Sequence, residues 1–208
     1  MKEKCYCCNR NAVSREHIPP KCIFPTPRSS NMITVPSCET HNLSKSKDDE
    51  YFRWFLSTAC AENSQIALDL LKIKVLKGLR RKPALLNEIM RNSIRNIDTF
   101  SLGGIWIGKR PGFRFDNKRI ISSFKLICRG LHYHHFGQKI IKVQKFGLEF
   151  NPNLDNNLKN AITSLVIHDI GNGDVFSYRY YSYKEDNQII TMWFLFFYQT
   201  LLVNCIIC

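Results

Sequence analysis

The spacing of apolar residues divides the chain into zones of different character. Residues 1–42 keep no sustained period and are rich in proline and cysteine, with Met32–Val35 as their one strand-like run. Residues 43–98 follow helical spacing. Ile66, Leu70, Ile73 and Leu76 recur three or four apart, Pro83 supplies a stop, and Leu85, Leu86, Ile89 and Met90 predict a further helix. Beyond residue 102 the pattern mixes. Gly103–Lys109 predicts a strand. Ile120, Ile121, Phe124, Ile127 and Leu131 predict a helix capped at Asp116-Asn117, and Gly171–Asp174 is a turn. Val175–Tyr183 alternates, and Lys184–Asn187 predicts the turn of a hairpin whose second strand contains Trp193–Tyr198.

Asn187–Cys208 carries no charge and is long enough to cross a bilayer. Asn187, Gln188, Gln199 and Asn204 interrupt it, and its aromatic and β-branched content favours a buried strand, so no membrane association is expected. The expected fold class is α+β, in three parts: a metal-stapled module over 1–58, a helical segment over 59–98, and an α+β region over 99–208 that ends in a β-hairpin and carries no assignable chemistry. The break at Gly103-Gly104 marks the last boundary.

Composition narrows the function classes. With 208 residues, 44% hydrophobic and 23% charged, the chain is globular rather than disordered or collagen-like. Thirty Lys and Arg against seventeen Asp and Glu give a net charge of +13, which predicts a polyanionic partner, nucleic acid before others. The excess is spread over both halves, so a contact surface must be assembled by folding. One basic group runs from Lys72 to Lys82, including Arg80 and Arg81, and a second from Lys109 to Arg119. Such cations grip phosphates without reading sequence. The nine cysteines are odd in number and cluster near the N-terminus, which does not suit a disulfide framework. Met1–Cys8 is polar and short and lacks a signal-peptide pattern, so a reducing cytoplasmic setting is expected.

Two short ligand pairs stand out, Cys5-x-x-Cys8 and Cys38-x-x-His41. Each can turn the backbone around an ion, and together they predict a tetrahedral structural zinc, with Cys7 or Cys22 able to replace one ligand. Buried free thiols are the competing reading. Between the pairs, Glu16-His17 puts a carboxylate and an imidazole next to each other at a strand end, a dipeptide that carries no weight alone. After the second pair, a helix starting near His41 would align Asn42, Ser46, Asp49 and Glu50 on one face, with Leu43, Phe52, Phe55 and Leu56 on the apolar side. Asp48-Asp49-Glu50 equally suits a helix N-terminus on electrostatic grounds alone. His132, His134 and His135, and the Cys205/Cys208 pair, lack partner ligands and are expected to be structural.

The order of these features resembles the HNH nuclease family, whose core is a ββα-metal finger. The resemblance rests on Cys5–Cys8, Arg15-Glu16-His17-Ile18-Pro19-Pro20, Ile33–Asn42 and Asp48–Arg53. Arg129–Tyr133 and Trp193–Tyr198 are similar with less specificity. It implies that residues 1–58 form the nuclease module and that His17 is the general base. It also implies that Glu16 and Asn42 hold a catalytic Mg²⁺ or Mn²⁺, while Cys5, Cys8, Cys38 and His41 hold the structural Zn²⁺. The activity implied is endonucleolytic hydrolysis of phosphodiester bonds, with DNA the expected substrate. Arg15, Lys21, Arg80 and Arg81 are the expected substrate contacts, and a homodimer is one way to cut both strands.

Three positions depart from the family pattern. His41 replaces the more usual cysteine. Ile33 stands where the middle asparagine belongs, with Asn31 two residues early. Asn42 is a weak, neutral ligand. A non-catalytic zinc-stapled nucleic-acid-binding module therefore remains the alternative, and a protein-interaction domain using the aromatic C-terminal hairpin is a third reading.

Overall fold

The computed structural model describes residues 3–42, 45–101, 103–139, 143–150, 154–185 and 188–207. Leu43, Asp186, Asn187 and Cys208, which figure in the expectations above, lie outside the described residues. The fold class is α+β. Strands β1 (Ser14–Ile18) and β2 (Ile33–Ser37) pair antiparallel, joined through a 3-10 turn at Lys21–Ile23, and helix α1 (Ser46–Cys60) follows. Next come α2 (Gln65–Leu70), a π turn (Leu71–Val75), α3 (Leu76–Arg80) and α4 (Pro83–Arg91). A separate two-stranded sheet, β3 (Ser93–Phe100) with β4 (Trp106–Phe113), precedes the long α5 (Asn117–Phe136). The remainder is β5 (Val143–Phe150), α6 (Asn156–Thr163), β6 (His168–Ile170), β7 (Phe176–Glu185), β8 (Gln188–Phe197) and β9 (Leu201–Ile207). These strands form one antiparallel sheet in the order β5-β9-β8-β7-β6.

Helix α5 forms where its sequence says it should. The Asp116 carboxylate accepts from the backbone N–H groups of Lys118 and Arg119, and Gly137 closes the helix at φ 65°, a left-handed conformation that glycine adopts without Cβ strain. Its buried face, Ile120, Phe124, Ile127 and Leu131, keeps the expected spacing. The α2–α3 segment departs from expectation. Its buried residues are Ala67, Leu70, Val75 and Leu79, while Ile73 and Leu76 face solvent. The π turn inserts an extra residue per turn, so the apolar stripe steps from Leu70 to Val75 and the face read from a strict 3.6 period is displaced. Pro83 does not merely stop a helix. It begins α4, where its missing N–H costs nothing. Ser93–Asp98, placed within the helical zone by sequence, belongs to β3.

Strand β8 accounts for the uncharged run within Asn187–Cys208. Trp193, Leu195 and Phe197 face the helices, and Phe194 packs with Ile162 of α6 and Leu202 on the other side. A strand covered on both faces has no reason to alternate. The predicted β7–β8 hairpin is present, but the chain does not end there. It turns at Tyr198-Gln199, both with positive φ, and returns as β9 between β8 and β5. Among the described residues no helix is long and apolar enough to cross a membrane.

One continuous core links these parts. Phe52 of α1, Phe124 of α5 and Phe197 of β8 meet edge to face, with ring centroids 4.9 Å (Phe52–Phe124) and 5.4 Å (Phe124–Phe197) apart. Helix α5 also carries the β1–β2 hairpin. A Cβ on Gly130 would come within 2.5 Å of the Ile18 side chain, so glycine there lets β1 lie directly on the helix.

Candidate functional site

The two ligand pairs converge. The Sγ atoms of Cys5, Cys8 and Cys38 and the His41 imidazole lie within 4.8 Å of one another. The measured edges are 3.7 Å for Cys8 Sγ to Cys38 Sγ, and 3.5 and 3.3 Å from His41 Nδ1 to Cys5 Sγ and Cys38 Sγ. Metal–sulfur bonds of about 2.3 Å and metal–nitrogen bonds of about 2.0–2.1 Å in a tetrahedron give edges of about 3.8 and 3.6 Å. The cluster therefore has the size of a site for one tetrahedral ion.

Local backbone builds it. Cys5 N–H bonds to Arg10 O, and Cys7 N–H donates to Cys5 Sγ at 3.5 Å. His41 and Asn42 N–H both bond to Cys38 O. Burial pushes the Cys38 thiol up, but the His41 backbone N–H and the neighbouring thiols outweigh it and leave it below its ordinary value. Burial, with Arg129 and Arg10 nearby, lowers His41, which favours the neutral imidazole a ligand must be.

Cys7 and Cys22 have partners of their own. Cys7 Sγ accepts from Arg129 Nη1 at 3.4 Å, and Lys139 Nζ donates to Cys8 O at 2.9 Å. Three thiolates and a neutral imidazole around a divalent ion leave about one negative charge, which these two cations offset. Cys22 donates to Asp49 O, and burial pushes its thiol up to about 12, so it remains a thiol. Neither Cys7 nor Cys22 replaces a member of the cluster.

Glu16 and His17 are neighbours on β1, opposite Val35 and Thr34 respectively, and strand geometry sends them to opposite faces. The carboxylate and imidazole therefore do not stand side by side as the dipeptide suggests. Glu16 is buried and turned inward. Its carboxylate accepts from Tyr6 Oη at 3.1 Å and Ser37 Oγ at 3.4 Å, and forms an ion pair with Lys45. Burial raises the Glu16 carboxyl, opposed by the Lys45 ammonium. The same ammonium lies 3.4 Å from Asp49, four residues on. Burial would depress Lys45, but the two carboxylates prevail and raise it. His17 is partly exposed and makes no side-chain hydrogen bond to a described residue. Burial, with Lys21 and Arg28 nearby, lowers its pKa.

Asn42 lies in a turn ahead of α1, which begins only at Ser46, so the shared helical face with Ser46, Asp49 and Glu50 is not formed through Asn42. Its amide nitrogen donates to Ser14 Oγ at 2.7 Å and to Arg15 O at 3.3 Å, tying the second ligand turn to β1. The acidic run of α1 is fully engaged. Asp48 pairs with Arg119 at 2.7 Å, Asp49 with Lys45, and Glu50 with Lys82. Arg119 also binds Glu88 and lies over the Tyr51 ring, so it braces the fold rather than a phosphate.

The remaining expected contacts are scattered. Arg15 is exposed, hydrogen-bonded to Thr34, and 3.6 Å from Glu3. Lys21 is exposed on the 3-10 turn after β1, on the His17 side of the hairpin. Arg80 and Arg81 are exposed at the end of α3. Asn31, two residues from the position the family pattern reserves for asparagine, does not brace His17. Its amide donates to Asp169 O at 3.0 Å and accepts from Gly171 N–H at 2.8 Å, fastening the β1–β2 connection to the β6–β7 turn. Tyr198 Oη adds a buried bond to Ile23 O at 2.6 Å. Sequence spacing held no sign of Lys45 or Tyr6, and marked Asn31 only as a displaced asparagine, because each acts through contacts that only the folded chain creates. No family model, no curated protein and no solved structure matches the chain.

Proposed function

We propose that the chain is an HNH-type endonuclease that hydrolyses phosphodiester bonds in nucleic acid, DNA foremost, with His17 as general base and one structural zinc on Cys5, Cys8, Cys38 and His41. The observation that carries the reading is the order β1–β2–α1 closed by that thiol–imidazole cluster, with Glu16 facing α1 and a partly exposed His17 whose side chain bonds to no described residue. Zinc suits three thiolates and an imidazole, and the reducing cytoplasm keeps such thiols available.

Glu16 and Asp49 bear on the second metal. Two carboxylates from different elements converge on one positive charge, the Lys45 ammonium, so this pole is built to hold a cation. Glu16, Asp49 and the amide oxygen of Asn42 are the hard donors that would hold Mg²⁺ or Mn²⁺ once Lys45 withdraws. When bound, such an ion neutralises charge on the phosphate and its leaving oxygen. The chain does the rest. From the other face of β1, His17 would accept a proton from water attacking a phosphate bound across the end of the strand, Lys21 and Arg28 beside it attract that phosphate, and Asn42 locks the ligand turn to the strand that carries the base. Hydrolysis is direct, without a covalent intermediate.

A second reading is favoured by the same pole. As arranged, Lys45 already neutralises Glu16, and the Asn42 amide nitrogen is spent on β1, which suits a zinc-stapled binding module that performs no chemistry. Nuclease assays on plasmid DNA and on RNA with Mg²⁺ or Mn²⁺ separate the two. Cleavage supports the enzyme. Salt-sensitive binding without cleavage supports the module.

A further inference from the structure

Among the described residues the β3–β4 hairpin joins no other strand, and it stands in water on both faces. Its anchors among the described residues lie toward its base, where Phe113 packs on Trp54 with ring centroids 5.5 Å apart, Arg114 N–H bonds to Asn92 O, and Arg110 reaches Glu62. Toward its far end, large apolar groups are exposed: Phe100 at 57%, Ile105 at 71%, Trp106 at 56% and Ile107 at 53%. Two-stranded hairpins are marginal alone in water, and clustered exposed apolar groups mark a contact surface.

The register shows what kind of contact. Phe100 pairs with Trp106, and Asp98 with Lys109. Trp106 Nε1 donates to Asp98 Oδ1 at 3.0 Å, which puts the aromatic pair and Lys109 on one face. Ile97 pairs with Arg110 on the other. Each face thus combines an apolar group with a cation. Residues 93–114 hold Arg95, Lys109, Arg110 and Arg114 against one acidic residue, Asp98, which is already engaged.

We propose that this arm docks in the major groove of duplex DNA, its cations on the phosphates and the Phe100–Trp106 tip against the base edges. The proposal rests on the nucleic-acid reading above. A second copy of the chain is the other candidate occupant, but pairing two such arms would bring cation onto cation. A polyanion with apolar base edges satisfies both halves of each face. The dimensions agree. Eight-residue strands extend about 27 Å, and the major groove, about 12 Å wide, admits a two-stranded ribbon.

The chain contains three tryptophans, and Trp54 and Trp193 are buried, so Trp106 reports on the arm. The test is titration of the intact zinc-loaded protein with a 30-base-pair duplex in magnesium-free buffer, read by tryptophan emission and by anisotropy of labelled DNA. The expected result is a change in emission and iodide quenching that is absent in Trp106→Phe. Binding should weaken at least tenfold in Phe100→Ser/Trp106→Ser. In Arg95→Gln/Lys109→Gln the slope of log affinity against log salt should fall by about two. These positions are exposed, so the variants keep the fold. Wild-type binding that all three variants retain unchanged, with Trp106 still open to iodide, overturns the arm while leaving a nucleic-acid function standing. A wild-type dimer lost in Phe100→Ser/Trp106→Ser, with DNA affinity unaltered, overturns it in favour of self-association. Absence of any duplex binding by wild type overturns both the arm and the reading beneath it.

Discussion

The Lys45 ammonium sits between the Glu16 carboxylate of β1 and Asp49 of α1, so the carboxylate that the family resemblance assigns to a catalytic ion is held by a cation of the chain itself. Removing one partner of such a buried pair costs about 3–5 kcal/mol, because the other charge is stranded. Lys45→Met should therefore lower the melting temperature in metal-free buffer. Millimolar Mn²⁺ should restore it, since an ion that binds only the folded state stabilises by mass action. Lys45→Met/Glu16→Gln should not respond to Mn²⁺. Differential scanning fluorimetry with and without Mn²⁺ checks this, and a variant indifferent to Mn²⁺ removes Glu16 from the catalytic metal site.

The thiol–imidazole cluster predicts one zinc per chain by elemental analysis. Structural zinc contributes about 10–16 kcal/mol in small domains, against a net stability of about 5–15 kcal/mol for a whole domain. Cys38→Ser, or a strong chelator, should therefore disorder the β1–β2 hairpin. Amide exchange across Ser14–Ile18 should rise by orders of magnitude, and the metal content should fall below one.

Acid should weaken the C-terminal half through histidines held neutral. His132 is buried against Thr191 with its Nδ1 3.1 Å from Oγ1, and His135 lies between Tyr178 and Tyr180; burial brings both down to about 4. A histidine depressed in the folded state gives the unfolded chain more protons below pH 6.5. Stability is then full above that value and is lost as pH falls toward 4. For His132 the loss is on the order of 3 kcal/mol over that window. Urea unfolding between pH 7 and 4 should show it, and His132→Gln should flatten the dependence.

Phe124 meets both Phe52 and Phe197, so truncating it strikes α1, α5 and the sheet together. Phe124→Ala should cost about 3–5 kcal/mol. The transition should remain single, because one core is shared. Two separated transitions in calorimetry would instead mark independently folding parts.

What the sequence disclosed was local. The Asp116 cap and the spacing of Ile120, Phe124, Ile127 and Leu131 define α5, and the two ligand pairs define the metal cluster, because neighbours in sequence decide both. Strand β2 and the β7–β8 hairpin were legible for the same reason. The solvent-facing positions of Ile73 and Leu76 were not, because a π turn shifts the stripe without a compositional sign. Glu16 and His17 looked like one chemical unit, yet a two-residue strand period parts them. Strands β5 and β9 pair across more than fifty residues, and Asn31 bonds to Asp169 and Gly171 across nearly 140, contacts that no local pattern encodes.

If His17 takes a proton from water attacking a phosphodiester, as proposed, removing its imidazole should stop cleavage. The direct test is cleavage of supercoiled plasmid by purified protein with Mg²⁺ or Mn²⁺, beside His17→Ala prepared identically. The expected result is cleavage by wild type and a loss of about 10²–10⁴-fold in the variant, with zinc content and melting temperature unchanged. Equal cleavage by both proteins, or none by wild type on DNA or RNA, would contradict it.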